Sequence, residues 1–285
     1  MTTTTSLAKQ FRTTSLPHQD GRMASARTSQ RAFVGVSALL FATSAALTIA
    51  WCASMSAMRG MPMPGGWTMS MIWMQMTGQT WLDAAASFIG MWVVMMVAMM
   101  LPSLAPRLWR YRQAVGRTGG TRAGWLTALV GVGYFFVWSV FGVAAFAAGV
   151  ALAAIEMRQP ALARGVPIAD GVVVLIAGAL QFTSFKTHHL GCCREAPGRG
   201  RALPADAGTA WRHGLRLGLH CSYCCAGLTV ILLVTGIMDL RVMAAVTAAI
   251  TAERLAPAGD RVARAIGAFF VGAGLFLVAH AAGLG

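Results

Sequence analysis

An all-α, polytopic transmembrane helix bundle is the fold class this sequence predicts, and three observations predict it. The 285 residues are 56% hydrophobic and only 11% charged. A water-soluble domain of that length needs far more charge to cover its surface. Mean hydropathy is +0.62. Several apolar runs reach about 20 residues, the length that crosses a bilayer's hydrocarbon core. The 23 Lys and Arg residues fall between those runs. Net charge is +14, but a basic balance confined to loops argues against nucleic acid as a partner and for a lipid bilayer.

The elements follow in order. Residues 1–31 are Thr-, Ser- and Arg-rich with one acid, Asp20. They are expected to form a disordered basic cytoplasmic tail, although an organellar transit peptide has a similar composition. The remainder, 32–285, is expected to be one transmembrane helical domain. Its first run, 32–54, is too long for a signal-peptide core. Further spans are expected over 84–104, 125–152, 168–185, 215–238, 241–253 and 263–283, about seven in all. The sixth is short, and a tilted or half-inserted helix there would leave six.

Charge favours seven. Lysines and arginines gather in cytoplasmic loops. One set of alternate segments holds Lys9, Arg12, Arg22, Arg27 and Arg31; Arg107, Arg110, Arg112, Arg117 and Arg122; Lys186, Arg194, Arg199, Arg201, Arg212 and Arg216; and Arg254, Arg261 and Arg264. The other set holds Arg59, Arg158, Arg164 and Arg241. That alternation places the N-terminus inside and the C-terminus outside. It also puts the segment 55–83 outside and 186–214 inside.

Methionine is the first unusual feature. The stretch 91-MWVVMMVAMMLPSLAP-106 has five methionines in ten residues, and 55-MSAMRGMPMPGGWTMSMIWMQM-76 has eight more. On a helix, Met91, Met95 and Met99 form one stripe. Thioethers are soft, neutral ligands that suit Cu(I). They bind without losing a proton, so they carry no charge penalty in lipid. Met is also an adaptable packing residue, and for any single one of these that is the safer reading. Copper transporters of the Ctr type use a similar Met-x-x-x-Met step, a local likeness only.

The second feature is a cysteine and histidine cluster. Five of the six cysteines lie in 186-KTHHLGCCREAP-197 and 219-LHCSYCCAG-227. At 100° per residue, Cys221, Cys224 and Cys225 share one side of a helix with His220, and with His213 if the helix reaches back that far. The preceding loop can fold back to add Cys192, Cys193, His188 or His189. Thiolate and imidazole together suit Cu(I), Zn(II) or an iron–sulfur cluster. Nearby Lys186, Arg212 and Arg216 favour thiolates. A Cys-x-x-Cys redox pair, Cys221 and Cys224, is the main rival, though no thioredoxin-like context accompanies it. Glu253 is a further candidate, as an outer partner to a metal-bound imidazole.

These residues resemble a bacterial family of predicted metal-binding integral membrane proteins, a domain of unknown function. MWVVMMVAMMLPSLAP, QFTSFKTHHLGCC, GLRLGLHCSYCCAGL and GIMDLRVMAAVTAAITAERL carry the likeness over roughly 88–256. Lys186, Cys193, Cys221, Cys224, Cys225 and Glu253 match the family pattern. His189 stands where a first cysteine is expected, Ala226 where a Trp is, and Arg254 where a Lys is. The resemblance implies a multi-pass protein of the bacterial inner membrane.

The leading expectation is therefore a soft-metal protein, with Cu(I) first and Zn(II) second. Its expected ligands are Cys221, Cys224, Cys225, His220, Cys192, Cys193, His188 and His189, with Met91, Met95 and Met99 as a conduit. A membrane thiol-redox protein and a structural or assembly subunit are the alternatives. No nucleophile–base–acid set, Walker motif or carboxylate pair is legible, so catalysis is not expected, nor is a cofactor beyond the metal. Protein partners, including any metallochaperone, are not legible.

Overall fold

Hydrophobic runs of this length must satisfy their backbone internally, and helices do so. The computed structural model describes residues 16–57, 60–75, 78–119, 122–194 and 204–283. Over these residues the chain is an all-α bundle of eight helices with one two-stranded hairpin. The order is α1 (Leu16–Ala57), β1 (Met61–Pro62), β2 (Thr68–Met69), a single 3₁₀ turn (Met71–Trp73), α2 (Trp81–Gly119), α3 (Ala123–Arg158), α4 (Pro160–Leu180), α5 (Ser184–Arg194), α6 (Ala207–Gly236), α7 (Leu240–Leu255) and α8 (Gly259–Ala281).

Six helices are long and apolar enough to cross a bilayer: α1 (over Arg27–Met55), α2 (over Trp81–Gly116), α3, α4, α6 and α8. The expected sixth span corresponds to α7, whose 16 residues fall short of that length. At 1.5 Å per residue it covers about 24 Å. It nevertheless runs most of the depth of the bundle. Near its start Met243 touches Cys52 on α1, and at its end Arg254 reaches Ser103 on α2.

Helices extend beyond most of the expected spans. Residues 16–31, expected in the tail, lie in α1, and residues 1–15 fall outside the described residues. α2 continues through Pro102 and Pro106 to Gly119. The expected loop 186–214 contains α5 and the first turns of α6. α6 opens on Asp206, whose carboxylate accepts from the Thr209 N–H at 2.8 Å and satisfies an orphan helix donor. Hydrogen bonding from Thr209, first from its side chain and then from this N–H, holds the Asp206 carboxyl below its ordinary range.

The hairpin organises the Met-rich segment. Met61 pairs with Met69, and Pro62 with Thr68. The turn between them uses Gly65 and Gly66 at φ 105° and 80°, a region that favours glycine. Trp67 Nε1 donates to the Ala163 carbonyl at 2.8 Å and ties the hairpin to the start of α4.

Small residues let the helices approach closely. α4 and α8 meet antiparallel, with Gly171 against Val278 and Gly267 against Gln181 and Phe182. α3 and α6 meet where Gly133 faces Gly214. A Cβ at Gly214 would run into the Val130 carbonyl oxygen, which is backbone and cannot swing aside. Gly214→Val is therefore expected to cost about 1–3 kcal/mol by overpacking. Gly131→Ala, where a Cβ meets open space, is expected to leave stability unchanged. Thermal unfolding in detergent distinguishes them, and equal melting temperatures would contradict this packing.

Candidate metal centre

The α3–α6 contact sets the depth of the thiols, because Cys221, Cys224 and Cys225 follow Gly214 and Gly218 on the same helix. All three are buried, as the helical spacing predicts. Cys221 and Cys225, one turn apart, have sulfurs at 3.9 Å. α5 folds back against α6 and adds Cys193, also fully buried. The Cys193 thiol is in hydrogen-bonding contact with Cys224, and Cys224 with Cys225. The four thiols thus form a chain of contacts, Cys193–Cys224–Cys225–Cys221. None of the six cysteines, all of them among the described residues, is in a disulfide.

Cations surround the chain. Arg254 Nη1 lies 3.3 Å from Cys221 Sγ and donates to Ser103 Oγ at 2.8 Å. Its Nε and Nη2 have no hydrogen-bond partner among the described residues, although the residue is only 3% exposed. Tyr134 donates its hydroxyl to Cys221 Sγ at 2.9 Å. Lys186, on α5, donates from Nζ to Glu253 Oε2 at 2.6 Å and to the Cys224 carbonyl at 2.7 Å. Burial works against the Lys186 ammonium, but Cys224 and Glu253 beside it raise its pKa above the ordinary value. Among the described residues Lys186–Glu253 is the one ion pair. No carboxylate pairs with Arg254 there, so the nearest group able to balance it is a thiolate at Cys221.

The histidines sort differently. His189 Nδ1 and His220 Nδ1 lie 3.4 Å apart, bridging α5 and α6 in a half-buried position. Burial first, then the neighbouring His188 and His220, lowers the pKa of His189. A neutral ring is the form a metal needs. His188 is exposed, and its Nε2 is 3.8 Å from Cys192 Sγ. Cys192 is therefore on the outer face of α5, away from the buried thiols. His213 stacks on Tyr111 at 5.2 Å between centroids. Glu253 engages Lys186 and no imidazole.

Met91, Met95 and Met99 are all buried on one side of α2, with Met96 and Met100 beside them. They share the core with Trp92, whose Nε1 donates to the Trp138 carbonyl at 2.8 Å. Packing alone accounts for that placement. Among the described residues no three His, Cys, Asp or Glu side chains converge as a ready cage for an ion. What exists is a layer of paired sulfurs, a pair of imidazoles and three buried cations, Lys186, Arg254 and, within electrostatic reach of Cys193 and Cys221, Arg107.

The PpoB2 family model, described as a copper chaperone, matches residues 89–277. The chain belongs to this copper chaperone family. The match takes in α2 through α8 and every thiol of the buried chain, and it begins after Cys52. It supports the copper-related, metal-family expectation drawn from the motifs. No curated protein and no solved structure matches the chain.

Sequence reasoning missed Tyr134 and Ser103. Each is one hydroxyl in an apolar span, with no spacing relation to the cysteines. Arg254 was legible only as a departure from a motif. Its role depends on α7 returning beside α6.

Proposed function

We propose that this chain is a multi-pass protein of the bacterial cytoplasmic membrane, with seven passes and the N-terminus inside. It binds Cu(I) and hands it on. Cys193, Cys221, Cys224 and Cys225 hold the ion, His189 and His220 sit at the rim, and Met91, Met95 and Met99 offer a thioether path from the other side. Cys192 and His188 form a separate, exposed pair that could receive or deliver the ion. The observation that carries the reading is the contact chain of four buried thiols, with Arg254 against Cys221 at its end.

The charge balance explains the choice of ion. A Cu(I) held by two thiolates is a monoanion, and Arg254 neutralises it without a second metal or a carboxylate. Sulfur contacts near 4 Å also suit the ion. Sulfurs about 2.3 Å from one metal in a trigonal plane lie about 4 Å apart. Zn(II) requires four tetrahedral ligands, and a chain of pairwise contacts serves it less well than two- or three-coordinate Cu(I).

Elemental analysis tests this directly. Full-length protein purified in detergent and loaded with Cu(I) is expected to retain copper. The Cys221/Cys224/Cys225→Ser variant should retain at least one equivalent less. Equal copper in both ends the proposal. Retention of Zn(II) in preference to Cu(I) would replace the ion.

A further inference from the structure

A second sulfur cluster lies at the other end of α7, where Cys52, which precedes the matched family region, meets two methionines inside it. Cys52 on α1 is 2% exposed. Its Sγ lies 3.8 Å from Met238 Sδ, in the turn after α6, and 3.9 Å from Met243 Sδ on α7. Three sulfurs from three separate segments therefore meet at one point. Those separations equal the spacing expected around a single trigonal ion, about 4 Å.

A second observation points to the same ligand chemistry. A cavity of about 200 Å³ is lined by Met55, Met71, Met74 and Met91, with Phe88 and Trp51. Met55 lies three residues beyond Cys52 and so shares its helix face. Of the groups lining this cavity, four are thioethers. Three of them, Met55, Met71 and Met74, come from the Met-rich segment 55–76.

We infer that Cys52, Met238 and Met243 form a capture site for a soft monovalent cation, fed from the methionine-lined cavity. Binding removes one proton from the Cys52 thiol and none from the thioethers. The complex of one cation with one thiolate and two thioethers is neutral. Neutrality suits a buried position in an apolar core. Soft sulfur ligands select Cu(I) and reject hard cations. The inference takes its ion from the copper reading, but the two sites share no ligand.

The test counts Cu(I) on the full-length, detergent-purified chain. Cys52→Ala is expected to lower bound Cu(I) by one equivalent, and Met238→Leu with Met243→Leu to do the same. Leu conserves the volume of Met, so the fold should persist, and circular dichroism checks it. In a Cys193/Cys221/Cys224/Cys225→Ser background one equivalent should remain, with only sulfur ligands by X-ray absorption at the copper edge. It should vanish when Cys52→Ala is added. Unchanged stoichiometry in Cys52→Ala and in the double Leu variant overturns the capture site. Loss confined to Cys52 variants, with none from the four-Ser change, would uphold it and sink the proposed inner site instead.

Discussion

Lys186→Met alone should destabilise the protein by about 3–5 kcal/mol, because it strands the Glu253 carboxylate in the core. Glu253 is fully buried, and its other oxygen, Oε1, already lacks a partner. Removing the Lys186 ammonium also frees the Cys224 carbonyl from its buried donor. For a chain of this size the loss corresponds to a melting temperature lower by roughly 10 °C. Glu253→Met should do comparable harm by stranding the ammonium. The double Lys186→Met/Glu253→Met variant should recover most of the stability, since a buried pair often contributes little net once desolvation is counted. It should not recover copper affinity, because α5 then loses its tie to Cys224 and Cys193 is no longer fixed. Thermal unfolding and Cu(I) titration of the four proteins decide the matter. If the single variants melt like the wild type, the pair is solvated and this account of α5 is wrong.

Arg254→Met should weaken Cu(I) binding by about 10–100-fold, the cost usual for losing a group that supports metal ligands from outside the coordination shell. The guanidinium lies 3.3 Å from Cys221 Sγ, and a thiolate complex left without it is a buried, unbalanced anion. Arg254→Lys should recover part of the affinity. It restores the charge but not the planar fork that reaches Ser103 and Cys221 together. A competition titration against a Cu(I) chelator measures the effect. Equal affinity for wild type and Arg254→Met would mean that the ion sits elsewhere.

The fold was readable because its evidence is local. Apolar runs and the basic residues between them marked α1, α2, α3, α4, α6 and α8. Helix ends were harder. The expected span ended at 104, but α2 passes Pro102 and Pro106 and ends at Gly119. Spacing placed Cys221, Cys224 and Cys225 on one buried side, because that relation lies within a single helix. It could not divide Cys192 from Cys193. Those neighbours point about 100° apart around α5, and only the packing of α5 on α6 shows which thiol turns inward. Tyr134, Ser103 and the Cys52–Met238–Met243 contact each depend on helices distant in sequence. No period or motif encodes such meetings.

The unbalanced guanidinium of Arg254 has a consequence for the membrane's own electrical integrity. A bare sodium or potassium ion about 4 Å from that charge would be repelled by about 4 kcal/mol at an effective dielectric constant of 20. Neither ion gains anything from sulfur to offset it. On the proposed reading, copper would escape the repulsion, because it would be held inside a thiolate complex whose charge Arg254 attracts. A site arranged this way would accept a trace metal while staying closed to the abundant alkali ions, and so would not become a leak for them across the membrane.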